Sequence, residues 1–142
     1  MEKPKRRIVE RRAHERHLKR INFIYRAKSS SEGGRLSRPV RGEIENIGLG
    51  GFAFRTSSME VDGIHLSFND DFSRNTILAE IFLPPPGKKI TAECMVEWYE
   101  RSLGEGGKEF TVGVSFIDMS DEDRRILRRY LAKETTSWNG IE

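Results

Sequence analysis

Between Ile21 and Ile117 the apolar residues recur at every second position, in short runs separated by Gly, Pro, Ser, Asn and Asp. Period two is the signature of extended chain, because successive side chains of a strand point to opposite faces. Ile21, Phe23 and Tyr25 start the first run, and Val40–Asn46 forms the second. Gly48-Leu49-Gly50-Gly51 makes a tight turn, after which Phe52 and Phe54 open the third run. Ile64, Leu66 and Phe68 alternate in a shorter stretch before an Asn69-Asp70-Asp71 turn, and Thr76–Leu83 ends at Pro84-Pro85-Pro86. Thr91–Tyr99 and Phe110–Ile117 flank Gly104–Lys108 and read as an antiparallel hairpin. Short strands joined by glycine turns predict a mainly β fold. The expected form is a small six- to seven-stranded antiparallel β-barrel, in which closure removes the open edges.

One helix follows the strands. Ser120 can accept from the first free N–H groups, and Asp121, Glu122 and Asp123 suit the positive end of the helix dipole. Ile126, Leu127, Tyr130 and Leu131 share one face, while Arg124, Arg125, Arg128 and Arg129 point elsewhere and read as solvated. The expected organisation is an arm over residues 1–20, a barrel domain over 21–134 with a closing helix at 120–133, and a tail over 135–142. With 142 residues, 36% of them hydrophobic, the chain can fill one core.

The net charge of +3 hides a division. Residues 1–28 hold eleven Lys/Arg and three Glu, which makes them +8, and the other 114 residues hold fourteen basic and nineteen acidic groups, which makes them −5. The arm contains few apolar side chains, Ile8, Val9, Ala13 and Leu18 among them, so it reads as flexible. A basic arm on an acidic body calls for an anionic partner, and the −5 body argues against a general nucleic-acid surface. No apolar run approaches the ~20 residues of a membrane helix, and the N-terminus lacks the apolar stretch of a secretory signal, so a cytoplasmic protein is expected.

The residue types needed for catalysis are not arranged for it. His14 and His17 sit in the polar arm, and His65 has no Cys or His at zinc-ligand spacing, so no metal site is expected. Cys94, the single cysteine, lies in an alternating run as a small core residue, which also excludes a disulfide framework. Glu43, Glu45, Glu80, Glu93 and Glu97 fall on the polar phase. Gly104–Lys108 is not a phosphate loop, because no Ser or Thr follows the lysine. The chain reads as a non-enzyme.

Two clusters carry recognition chemistry. Arg12 and Arg16, four apart, lie on one side of either a helix or a strand, with Arg11 adjacent. Two guanidiniums on one side form a clamp that can pair with phosphate or with a guanine edge and can stack on a base. Asn46-Ile47-Gly48-Leu49-Gly50-Gly51 places an amide before glycines that supply positive φ and let a ligand approach the backbone.

Taken in order, these features resemble the PilZ domain family, receptors for cyclic di-GMP. The RxxxR of the arm precedes a strand, and the next strand runs into a (D/N)xSxxG-type turn. Glu80-Ile81-Phe82-Leu83-Pro84, Val96-Glu97-Trp98 and Val112-Gly113-Val114-Ser115-Phe116 resemble later strands of the family, and the resemblance covers about residues 10–133. It implies that cyclic di-GMP is bound by Arg11, Arg12, Arg16, Asn46, Gly48, Gly50 and Gly51, without a cofactor. Gly48 departs from the pattern, standing where the family usually has serine. The resemblance further implies that ligand binding orders the arm and alters a surface met by an unknown downstream protein, with the receptor a monomer or homodimer. Two other readings stand beside it. One is a degenerate PilZ domain acting by protein contacts in motility or surface behaviour, and the other is a small barrel binding single-stranded nucleic acid. The second needs aromatic platforms on the barrel face, whereas Phe23, Tyr25, Phe52, Phe54, Phe82 and Phe116 follow the apolar phase and are expected in the core.

Overall fold

The computed structural model describes residues 21–85, 88–102 and 109–141, with helix side chains as far as residue 133. The expectations for residues 1–20 and for the Gly104–Lys108 loop lie outside the described residues. Strands β1 (Ile21–Lys28), β2 (Val40–Ile47), β3 (Gly51–Thr56), β6 (Thr76–Phe82), β7 (Lys89–Ser102) and β8 (Glu109–Asp118) close into a barrel in the order β1-β2-β3-β8-β7-β6. Every neighbouring pair is antiparallel. The period-two pattern explains the closure, since each strand sends one set of side chains inward. Phe23 and Tyr25 meet Phe52 and Phe54 in a ring cluster with centroids 5.1–5.2 Å apart, and Ile77, Ile81, Ile90, Cys94, Val96 and Val112 complete the buried interior.

The ends of the barrel are closed differently. At one end, β4 (Glu60–Val61) and β5 (Ile64–His65) form a two-stranded hairpin that buries Met59, Val61, Ile64 and Leu66. The expected strand from Ile64 to Phe68 is therefore only two residues long. The chain leaves it because the His65 Nδ1 accepts the backbone N–H groups of Ser67 and Phe68 at 3.0 and 3.3 Å. At the other end lie Ile21, the turn between β2 and β3, and the start of helix α1 (Asp121–Ile141), which buries Leu127 and Tyr130. The Ser120 Oγ accepts the Asp123 N–H at 3.1 Å, as an N-cap does.

Three expectations change. The helix continues to Ile141 rather than stopping at residue 133, because no proline or early C-capping glycine interrupts it. Phe82 is on the outer face, since the alternation of Ile77, Ala79 and Ile81 inward turns it out. Glu93 is half-buried rather than free in solvent: it accepts from the Thr76 hydroxyl at 2.7 Å and pairs with Lys28 at 3.6 Å.

Candidate functional site

The β2–β3 turn is closed by the Gly48 N–H donating to the Gly51 carbonyl at 2.8 Å, and the Gly50 carbonyl accepts the Phe116 N–H at 2.9 Å. None of Gly48, Gly50 and Gly51 has a positive φ, contrary to the sequence reading. Close approach is what requires glycine at position 51, where a Cβ would lie 1.9 Å from the Val114 carbonyl oxygen on β8. Around Gly48 and Gly50 a Cβ would meet nothing within 4 Å.

From this turn a line of paired residues crosses four strands on the outer face of the barrel. Asn46 on β2 pairs with Ala53 on β3, Ala53 with Gly113 on β8, and Gly113 with Trp98 on β7. Neighbouring strands are about 4.8 Å apart, so the line spans about 14 Å. Its ends carry an amide and an indole, and its middle has almost no side chain. Together with Gly51, Phe52, Glu97 and Val114 these residues line a trough of about 230 Å³.

Two β-bulges shape this face. Glu45 is an extra residue between the pairs Ile44–Phe54 and Asn46–Ala53, and Glu97 is extra between Val96–Val114 and Trp98–Gly113. A bulge leaves one residue unpaired and re-aims the side chains beside it. Here both Glu97 and Trp98 are exposed, and Trp98 keeps 49% of its surface in solvent. The Glu97 Oε2 accepts the Ser115 hydroxyl at 2.6 Å. Past the last β6–β7 pair, Ile77–Cys94, the Val96 carbonyl is met by the Arg74 guanidinium.

A larger depression, about 630 Å³, lies across β1, β6 and β7 and holds none of the expected site residues. Glu80, Glu93 and Asp118 line it with Arg26, and although Lys28 pairs with Glu93 the balance stays acidic and disfavours an anionic ligand. The smaller trough is the better candidate.

The structure thus places Asn46 and Gly51 at the trough, and Gly48 and Gly50 in the turn beside it. Arg11, Arg12 and Arg16 lie outside the described residues, but the chain enters β1 at Ile21, whose partner Ile44 is two residues before Asn46. Trp98 was missed as a site residue. In sequence it continues the apolar phase of Ile90, Ala92, Cys94 and Val96, so no signal there marks it as exposed. Buried Cys94 is no nucleophile, because loss of hydration pushes its thiol up to about 12. Among the described residues, no group of three or more His, Cys, Asp or Glu could hold a metal ion, and no helix is long and apolar enough to cross a membrane.

The sequence profile of the PilZ domain matches residues 10–133. The chain belongs to the PilZ family. PilZ domains are non-enzymatic binding modules, and the family comprises cyclic di-GMP receptors. The fold is similar to that of MrkH from K. pneumonia in its apo state, with a TM-score of 0.58 and 16% identity over 85% of this chain. This chain spans 50% of that one. A PilZ domain of YcgR from Escherichia coli, solved with c-di-GMP, matches with a TM-score of 0.46 and 11% identity over 83% of this chain and 87% of that one. No curated protein matches the chain.

Proposed function

We propose that this PilZ domain is a cyclic di-GMP receptor that holds a guanine in the Asn46–Trp98 trough and the phosphates with the arginines of its N-terminal arm. The observation that carries the reading is the line Asn46–Ala53–Gly113–Trp98 beside the end of the barrel where the arm joins. The Trp98 ring lies over Gly113, and the small side chain of Ala53 leaves room for a flat base between that ring and Asn46. The exposed indole of Trp98 offers a stacking face, a type of contact worth about 1–3 kcal/mol per base. The Asn46 amide can hydrogen-bond a base edge.

The arm supplies the charge. Arg16 is five residues before Ile21, and an extended chain covers at most about 3.6 Å per residue, so its backbone lies within about 18 Å of the start of β1. Arg11, Arg12 and Arg16 then meet the two phosphates of the ligand, where planar guanidiniums pair bidentately. Ligand binding holds the arm across the outer face of the barrel, and a downstream partner meets a different surface. Isothermal titration calorimetry of the wild type and of the Arg12→Ala/Arg16→Ala variant tests this. Binding at tens of micromolar protein, abolished in the variant, is the expected result. No heat from well-folded wild type would instead favour a degenerate domain acting through protein contacts, a reading prompted by Gly48 in the serine position.

A further inference from the structure

We infer that Glu97 reads the Watson–Crick edge of the guanine in the trough and makes the receptor selective for guanine over adenine; the assignment rests on the proposed cyclic di-GMP reading. Three observations carry it. First, Glu97 lies where a bulge sends its side chain out beside Trp98 rather than to the opposite face, so a carboxylate and a stacking indole border one trough. Second, the Ser115 hydroxyl donates to Oε2 at 2.6 Å, which fixes the carboxylate and leaves Oε1 and the remaining lone pairs of Oε2 to accept. Third, the other acceptor side chain of the trough, the Asn46 amide, brings one carbonyl oxygen and no charge.

The chemistry is specific. The N1–H and 2-amino groups of guanine are adjacent donors that match the two oxygens of a carboxylate. Adenine puts a lone pair at N1 and has no 2-amino group, so the same carboxylate faces a repulsive acceptor. A polar site left unpaired by the wrong base discriminates far better than an apolar pocket does. The negative charge of Glu97 opposes the ligand phosphates, and the cationic arm offsets that cost.

The test titrates wild type and Glu97→Gln with cyclic di-GMP, cyclic di-AMP and cyclic di-IMP, which lacks the 2-amino groups. Gln keeps the Ser115 contact through its carbonyl, and a thermal melt checks that the variant folds as the wild type does. Expected for wild type is a preference of at least roughly a hundredfold for cyclic di-GMP over cyclic di-AMP, from two lost charge-assisted hydrogen bonds at roughly tenfold each. Loss of the 2-amino groups should cost it roughly tenfold, the scale of one charge-assisted hydrogen bond. In Glu97→Gln, cyclic di-GMP binding falls roughly tenfold and the penalty for cyclic di-IMP shrinks, as a double-mutant cycle requires of interacting groups. If wild type binds cyclic di-GMP and the variant keeps the same affinity and the same ratios, the role of Glu97 is overturned while the receptor reading stands. If wild type binds none of the three, both fall together.

Discussion

The indole of Trp98 lies against the backbone of Gly113, its partner across the β7–β8 ladder, so closely that a Cβ on Gly113 would come 2.3 Å from ring atoms Cε2 and Nε1. Glycine here is a seat for the ring. Because Trp98 is half exposed, Gly113→Ala should push the indole off the barrel while the fold survives. In a Trp138→Phe background, where Trp98 is the sole tryptophan, its fluorescence should shift to the red. Cyclic di-GMP affinity should fall at least about tenfold, within the range of a lost base stack. Unchanged emission together with unchanged affinity would refute the seat.

The two ends of the β2–β3 turn predict opposite results. A side chain at position 48 meets open space and no left-handed backbone, so Gly48→Ser adds a hydroxyl without strain. It should tighten cyclic di-GMP binding about fivefold, the scale of one neutral hydrogen bond. Equal or weaker binding would count against a ligand contact there. Gly51→Ala instead drives a Cβ to 1.9 Å from the Val114 carbonyl oxygen and 2.9 Å from the Ser115 Cα, so β3 must move off β8. A loss of about 1–3 kcal/mol in urea unfolding is expected.

Much of the barrel can be read in the alternation of Phe23 with Tyr25, of Phe52 with Phe54 and of Ile77 with Ile81, because a strand with one wet face leaves no other pattern. What the alternation does not reveal is a bulge. Glu97 looks like an ordinary polar-phase residue in sequence, and only the skip in its backbone pairing with β8 shows that Trp98 turns outward beside it. Gly51 is recognisable as a special glycine, but its reason is the Val114 carbonyl, 63 residues further on. The helix end misleads for another reason. Thr135, Thr136 and Ser137 are weak helix formers, yet weak propensity does not end a helix as a proline does.

Phe72 predicts a gain in stability. It sits at φ 67° with 85% of its surface exposed, in a loop tied by the Asn69 N–H to the Ser73 carbonyl at 2.8 Å and by the Ser73 hydroxyl to Asp71 at 2.6 Å. A bulky residue in the left-handed region carries strain of about 1 kcal/mol or more, and asparagine tolerates that region. Phe72→Asn loses little packing and should stabilise the fold by about 1 kcal/mol in urea unfolding. Destabilisation would show that the ring makes contacts its exposure does not suggest.

Cys94 and Tyr25 predict how stability falls in alkali. Burial pushes the Cys94 thiol from 9.0 up to about 12, and the neighbouring Glu93 charge adds to the shift. Burial also raises Tyr25 above 10.0, against the lowering effect of its Thr56 hydrogen bond at 3.3 Å. In both, the native state keeps a proton that the unfolded chain releases. Stability is therefore whole below pH 9 and falls between pH 9 and about 12, because the unfolded state binds fewer protons there. One such proton gives a slope of at most about 1.4 kcal/mol per pH unit. Urea midpoints at pH 8, 9 and 10 should fall above pH 9, and Cys94→Ala should flatten that fall while lowering stability at every pH through the cavity it leaves. The native thiol should also resist a water-soluble disulfide reagent at pH 8 until urea unfolds the chain. Rapid labelling of folded protein, or an unchanged slope in Cys94→Ala, would show that the β6–β7 side of the barrel opens to solvent around Cys94.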